Sequence, residues 1–360
     1  MAAHAISLRA TNQSSELNPV RVATFPRTRV LAWHNDVLYV SRGYSVLRAR
    51  VRPQSSAIEW KRVAQYRPTA WRSITSLSRL ASRLFRDGFH ALASLSSGHL
   101  VGAVPNAIVT LAPGEAEFNV SHKLLRGTRP LHLATTPADH VFWGEYFDNP
   151  HRDEVHIYVS TDRGGHWDVA YTFPEGTIRH VHNIVYDQFE NCFWVLTGDE
   201  GSECRILRAS CDFKTVDVIL SGNQQTRSAA LVPTCDAVYF SSDTPFESNH
   251  VYCLDRHGIL SQVTTLNSSS IYGCLVRNAV FFTTMVEPSA INVDRNVSLY
   301  GSSDGWQWHR VLQRKKDRWP MGWFQYGNAF LPDGKNTTRL LAVTTIAVEH
   351  GDLETTIWRI

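Results

Sequence analysis

Three absences narrow the chain before any motif is read. No stretch of the 360 residues approaches the roughly 18 consecutive apolar residues that a membrane-spanning helix needs, so no transmembrane segment is expected. The N-terminal MAAHAISLRATNQSSELN has no apolar core of the kind a secretory signal carries, which predicts a cytoplasmic location. Cysteine is scarce, with six residues (192, 204, 211, 235, 253 and 274), and no two form a CxxC pair. That excludes a zinc ribbon and predicts small buried thiols in a reducing compartment. A strong charge of either sign is also missing. The net +3 does not call for nucleic acid, and no such partner is expected. What the chain has instead is 11 Trp and 16 His, a residue that serves acid–base chemistry, metal binding and carboxylate recognition alike.

Short alternating or apolar runs recur along the whole length, separated by Gly, Asp, Asn and Pro, and they recur in fours. LHLATTP, HVFWGEYF, VHIYVSTD and WDVAYTF make one set. HVHNIVYD, CFWVLTGD, CRILRAS and TVDVILS make the next. Two further sets follow, and two precede, of which the second (89–124) is weakly patterned. The last segments supply only three strands, and NPVRVATFP near the N-terminus reads like the missing outer one. This predicts an all-β single domain over 1–360: a β-propeller of seven four-stranded blades, with six as the alternative count, closed by an N-terminal strand. Residues 1–14 are expected to be a flexible tail. One segment breaks the pattern. WRSITSLSRLASRLFRDG (71–88) puts Ile74, Leu77, Leu80 and Leu84 at helical spacing, with Arg72, Arg79, Arg83 and Arg86 elsewhere on its surface. It predicts a helical insertion near 72–86, packed on the rim or docking to a membrane or protein partner.

STDRGGHWD places Ser160, Asp162, Gly164 and Trp167 directly after a strand. An Asp carboxylate there accepts hydrogen bonds from the turn's own N–H groups, Gly164 permits positive φ, and Trp167 fills the gap between sheets. SSDGWQW repeats it in contracted form with Ser302, Asp304 and Trp308, and SCDFKT keeps only Ser210 and Asp212. Ser-x-Asp-x-Gly-x-x-Trp resembles the Asp-box, or BNR repeat, of sialidase-like β-propellers. That resemblance implies a scaffold turn between the third and fourth strands of a blade. It moves the search for chemistry to the opposite face.

On that face the starts of the innermost strands supply His90, His132, His180, His182, Arg227, Tyr272 and Tyr326. A polar residue at the same place in six repeats stands out, because strands lining a closed core are otherwise apolar. The turns between second and third strands add Glu145, Tyr146, Asp199, Glu200, Asp243, Glu247 and Glu287. Glu145, between aromatics, is expected to be desolvated with a raised pKa. Such a mouth suits a polyhydroxylated, acidic glycan, an oligo- or polysaccharide. Catalysis is assigned to His182, His132, Glu145 and Tyr146, and substrate binding to His90, His180, Arg227, Asp199, Asp243, Tyr272 and Tyr326.

The resemblance implies a carbohydrate-active enzyme, with lyase and glycoside hydrolase chemistry both open. The alternative is a non-catalytic propeller that binds a glycan or protein. A strict sialidase is disfavoured, since no FRIP-like segment and no set of three arginines is found. No cofactor is assigned. If a divalent metal ion binds, His90, His132 and His182 are the expected ligands. A monomer is expected.

Overall fold

Each four-strand set becomes an antiparallel sheet in the computed structural model, which describes residues 17–52 and 58–360. Seven sheets form, so the larger blade count holds; the tail at 1–14 lies outside the described residues. The weakly patterned second set is a regular blade of Ala91–Ser94, Leu100–Val104, Ala107–Leu111 and Asn119–Lys123. Burial explains the patterns. Second strands such as Cys192–Thr197 and Ala279–Thr283 are buried along their whole length between neighbouring blades. Outermost strands such as Val216–Ser221 are largely exposed.

The seventh blade is closed as expected. Val20–Pro26 pairs antiparallel with Glu354–Arg359, outside Leu340–Ile346 and the innermost Asn328–Phe330. One strand has no counterpart in the repeats. Asp333–Asn336 leaves the seventh blade and pairs in parallel with Arg29–Asn35, becoming a fifth, innermost strand of the first blade. Gly334 makes this possible: its φ is +82°, and a Cβ there would overlap the Trp33 carbonyl oxygen.

The insertion is helical but not one helix. Ala70–Thr75 and Arg79–Phe85 are separate, because the Ser78 hydroxyl accepts from Ala81 N and starts the second helix anew. The expected apolar face is corrected with them: Ile74 and Leu77 are 70% and 80% exposed, whereas Arg83 is only 1% exposed. Arg83 donates to Asp317 Oδ2 at 2.6 Å and twice to the Phe324 carbonyl, at 3.0 and 2.7 Å, with Asp352 alongside at 3.5 Å. A buried ion pair, not an apolar stripe, ties the insertion to the segment between the sixth and seventh blades.

The Ser-x-Asp turns are held by their own hydrogen bonds and by contacts with the preceding blade. Ser160 Oγ donates to Asp162 Oδ1 at 2.8 Å and accepts from Gly164 N at 2.7 Å, while His166 N donates to Asp162 Oδ1 at 2.8 Å. Gly164 has φ +91°, and a Cβ would lie 2.6 Å from Thr110 and 2.7 Å from Val101 of the preceding blade. Trp167 Nε1 donates to Ser121 of that same blade at 3.1 Å. Ser302, Asp304 and Gly305 repeat the geometry, and Trp308 packs on Tyr239 and Phe282. In the degenerate copy Phe213 takes positive φ itself and fills the inter-blade gap against Phe142 and Phe193. The cysteines are free; Cys192, Cys204 and Cys253 are buried as expected, but Cys211 and Cys274 are only partly so and Cys235 is exposed.

Two substitutions test these supports. Arg83→Ala leaves the Phe324 carbonyl without its donors and removes one cation from Asp317 and Asp352, which keep Lys316 and Arg79, and is expected to cost on the order of 2–3 kcal/mol in denaturant unfolding. In Asp162, burial opposes ionisation, but the His166 N–H, the His166 ring and the Ser160 hydroxyl outweigh it and hold the carboxyl well below its usual range. Its contribution is present above the ordinary carboxylate pKa and is lost as pH falls. Asp162→Ala should therefore lower stability by about 1 kcal/mol near neutrality, and the difference from wild type should shrink in acid melts.

Candidate functional site

His180 and His182 sit two residues apart in and beside the innermost strand Val181–Asp187, so both rings project from one face toward the channel. Their geometry is set by backbone carbonyls. His180 Nδ1–H donates to Phe147 O and His182 Nδ1–H to Ser228 O, each at 2.9 Å. The two Nε2 atoms then face one another at 3.0 Å. Asp199 straddles them, with Oδ2 3.4 Å from His180 Nε2 and Oδ1 3.3 Å from His182 Nε2. Gly198 turns the chain to bring Asp199 there: its φ is +94°, and a Cβ would collide with the Glu203 carbonyl. Arg227 Nη2 reaches Asp199 Oδ1 at 3.1 Å, and the Tyr146 ring lies 4.3 Å from that of His180.

Burial shapes the protonation of this group. It pulls His180 down to about 4, with the neighbouring His182 adding to the effect. It pushes Tyr146 up to about 12, helped by Asp199 and Asp243. Burial also opposes ionisation of Asp199, but His182, His180 and Arg227 hold that carboxyl far below its usual range. Beside them lie Asp243, which is buried with Oδ1 unpartnered, and Glu287. Burial raises both: Arg227 opposes the effect at Asp243, while the Asp243 charge adds to it at Glu287, which is pushed up to about 7.

A second group lines the channel from the first, second, third and sixth blades. His90 Nε2–H donates to Arg86 O at 2.8 Å, leaving Nδ1 to face Arg29 Nη1 at 3.4 Å. Arg29 also donates to His90 O at 3.1 Å and stacks 3.8 Å from the Phe330 ring. His132 Nδ1–H lies 3.2 Å from both oxygens of Asp333, and the His132 ring is 5.5 Å from that of Tyr272. Arg129 makes no hydrogen bond or ion pair among the described residues. Burial lowers it to about 10, the neighbouring Arg86 and Arg29 add to that, and Tyr272 and Tyr146 act against it. Feeling both tyrosines, it lies between the two groups. His90 is pulled well below its usual value by burial, then by Arg129 and Arg29.

Three expectations are corrected. Glu145 is buried, yet its carboxylate is not left alone: it forms a bidentate ion pair with Arg126 and accepts from His156 N. It borders a groove of about 570 Å³ lined by Leu125, Arg126, Glu154 and His156, apart from the histidines. Alternation along the chain sends Tyr146, its neighbour, inward instead. His90, His132 and His182 do not converge, since each has separate partners. Among the described residues the one group of metal-ligating type is His180, His182 and Asp199. Tyr326 is 37% exposed and joins none of these contacts. Of the rim acids, Glu200 and Glu247 are exposed; Glu200 ion-pairs with Arg152, and Glu247 accepts from Gln225. Arg29, Arg129 and Asp333 were not foreseen. Arg29 opens the first strand of its four-strand set as His90 and Arg227 nearly open theirs, so aligning the first blade with the others would have found it. Asp333 lies in the strand without a repeat counterpart, and nothing in the periodicity marks it.

No family model matches the sequence, and no curated protein matches it significantly. Solved structures do match in fold. The WD40 β-propeller domain of Doa1 is 13% identical, with TM-score 0.59, over 95% of this chain and 96% of that one. A chain of a mitotic checkpoint complex gives 11% and 0.57 over 100% and 99%. A chain of a nidogen/laminin complex gives 10% and 0.51 over 81% and 96%. At these identities the likeness concerns architecture: the chain is a seven-bladed β-propeller. Among the described residues no helix is long and apolar enough to cross a membrane.

The Asp243–Glu287 pair yields a pH prediction. The folded pair keeps a proton that the unfolded chain has released between about 4.5 and about 7, so its contribution to stability falls as pH rises through that window. Melting curves of Glu287→Gln should lose this slope, and the variant should exceed wild type in Tm above pH 7. Parallel curves for the two proteins would remove the raised pair.

Proposed function

We propose that the channel mouth binds an anionic, hydroxyl-rich ligand of the acidic oligosaccharide class. The carrying observation is Arg129: a guanidinium lodged beside Arg29 and Arg86, lowered by burial and by those cations, with no carboxylate of its own. Arg129 is half-buried, and a cation held beside two others with no counter-charge is costly unless a ligand completes it. A carboxylate or sulfate offers the bidentate acceptor that Arg129 lacks. Tyr146, Tyr272 and the histidines surround it with hydroxyl and imidazole partners for sugar hydroxyls. The Asp-box turns support the resemblance to sialidase-like propellers, and exposed Ile74 and Leu77 support a docking role for the helical insertion.

A second reading, turnover of that ligand, is favoured by Glu287. An acid that holds its proton to about 7 can donate to a leaving oxygen, beside histidines able to accept a proton. Lyase and hydrolase chemistry differ in product, since a lyase leaves an unsaturated uronate that absorbs in the ultraviolet.

The test is calorimetric titration with an acidic oligosaccharide and its neutral counterpart. Arg129→Ala should weaken the acidic ligand by about 10–100-fold and leave Tm unchanged or raised, because an uncompensated charge is removed. Equal affinity for the neutral sugar, or a lowered Tm with unchanged binding, would overturn the reading.

A further inference from the structure

We propose that His180, His182 and Asp199 hold a divalent transition-metal ion through His180 Nε2, His182 Nε2 and the Asp199 carboxylate. The inference does not depend on the ligand proposed above. It begins with a conflict between lone pairs. Both Nδ1 atoms are committed as donors, because a backbone carbonyl can only accept, and both carbonyls lie at 2.9 Å. That leaves Nε2 as the free position on each ring, and the two Nε2 atoms point at one another across 3.0 Å with a carboxylate beside them. Three electron-rich atoms converging in a buried place repel unless a cation sits among them.

The spacing suits a metal. Ligand atoms about 2.1 Å from a common ion lie roughly 3.0 Å apart at right angles and about 3.4 Å apart at the tetrahedral angle. The observed separations are 3.0 Å between the nitrogens and 3.3 and 3.4 Å from nitrogen to carboxylate oxygen. The surrounding shell is also what a metal site requires. Each imidazole is oriented by a carbonyl on its other nitrogen, and the Asp199 carboxylate is steadied by Arg227 at 3.1 Å and Arg179 at 3.7 Å. Two imidazoles and one carboxylate suit Zn²⁺, Fe²⁺, Mn²⁺ or Co²⁺ better than Mg²⁺ or Ca²⁺, which prefer all-oxygen sets. Three protein ligands leave further positions to be filled from the channel side, where Tyr146 lies.

The rival account is a single proton shared by the two rings. To separate the two, full-length protein is stripped with a chelator, dialysed, and titrated with Zn²⁺ and with Co²⁺. One equivalent of either is expected to bind, with an upward shift in Tm and visible Co²⁺ absorption bands. His182→Ala and Asp199→Asn should each reduce affinity at least 10-fold. His132→Ala, whose ring is held by Asp333, should bind as wild type does. Absence of stoichiometric uptake, or unchanged uptake in both ligand variants, overturns the site in favour of the shared proton. Should those variants fail to fold, Cu²⁺-loaded wild-type protein decides: hyperfine coupling to two imidazole nitrogens supports the assignment, and any other count overturns it.

Discussion

The pairing of Val20–Pro26 with Glu354–Arg359 is the contact on which the rest of the molecule hangs. Without it the seventh sheet keeps an open edge and the first and last blades are not held at a fixed distance. Hydroxyls reinforce the join: Thr28 Oγ1 meets Thr355 Oγ1 at 2.8 Å, Thr355 meets Thr344 at 2.7 Å, and Val30 N of the first blade donates to Thr344 at 2.9 Å. The strand Asp333–Asn336 adds a second strap between the same two blades. A closed ring fixes where all seven innermost strands begin, and those beginnings carry the polar residues of the mouth. The site is thus a consequence of closure, although of its residues only Asp333 lies in a strand that ties the first and last blades.

Closure also explains how charge is divided around the channel. Equivalent positions in seven blades lie around a ring, so residues one blade apart meet their neighbours while residues several blades apart meet different ones. His180, His182 and Asp199 all come from the fourth blade and Arg227 opens the fifth, which is why they touch. Arg29 and Arg129 gather positive charge where the first three blades meet the channel, opposed at Arg29 by Tyr272 and then Asp333, and at Arg129 by Tyr272 and Tyr146. Both sides of the mouth therefore mix signs: Asp199 meets Arg227 and Arg179 on one, and His132 meets Asp333 near Arg29 on the other.

The architecture was legible because a four-strand period survives sequence divergence: each unit must bury its inner strands and expose its outer one. Strand order was legible too, through the Ser-x-Asp turns, which lie between the third and fourth strands of their blades. Convergence was not. A common position in each repeat suggested that His90, His132 and His182 meet, but shared register around a ring is not proximity. Glu145 was misjudged for a smaller reason: the partner that neutralises it, Arg126, lies 19 residues back, where no spacing rule links the two. The insertion misled because an apolar period looks the same whether its residues face the core or solvent, and here a buried Arg83 replaced the core contact.

The two ends of the propeller carry opposite burdens, and one permits the other. At the Asp-box end, Gly164 lies against Val101 and Thr110, Trp167 reaches Ser121, and Trp308 packs on Tyr239, so neighbouring blades are locked together by short local contacts. At the mouth the contacts between blades are charged and incompletely paired: Arg29 Nε, Arg227 Nε and Asp243 Oδ1 all lack partners. A ring held only at the mouth would relax such groups toward one another or open to water. Because the far end fixes blade spacing with apolar and neutral hydrogen-bonded contacts, the mouth can hold its charges apart. The division of labour follows from the geometry of the sheets, in which one set of turns binds the ring and the other set is free to present chemistry.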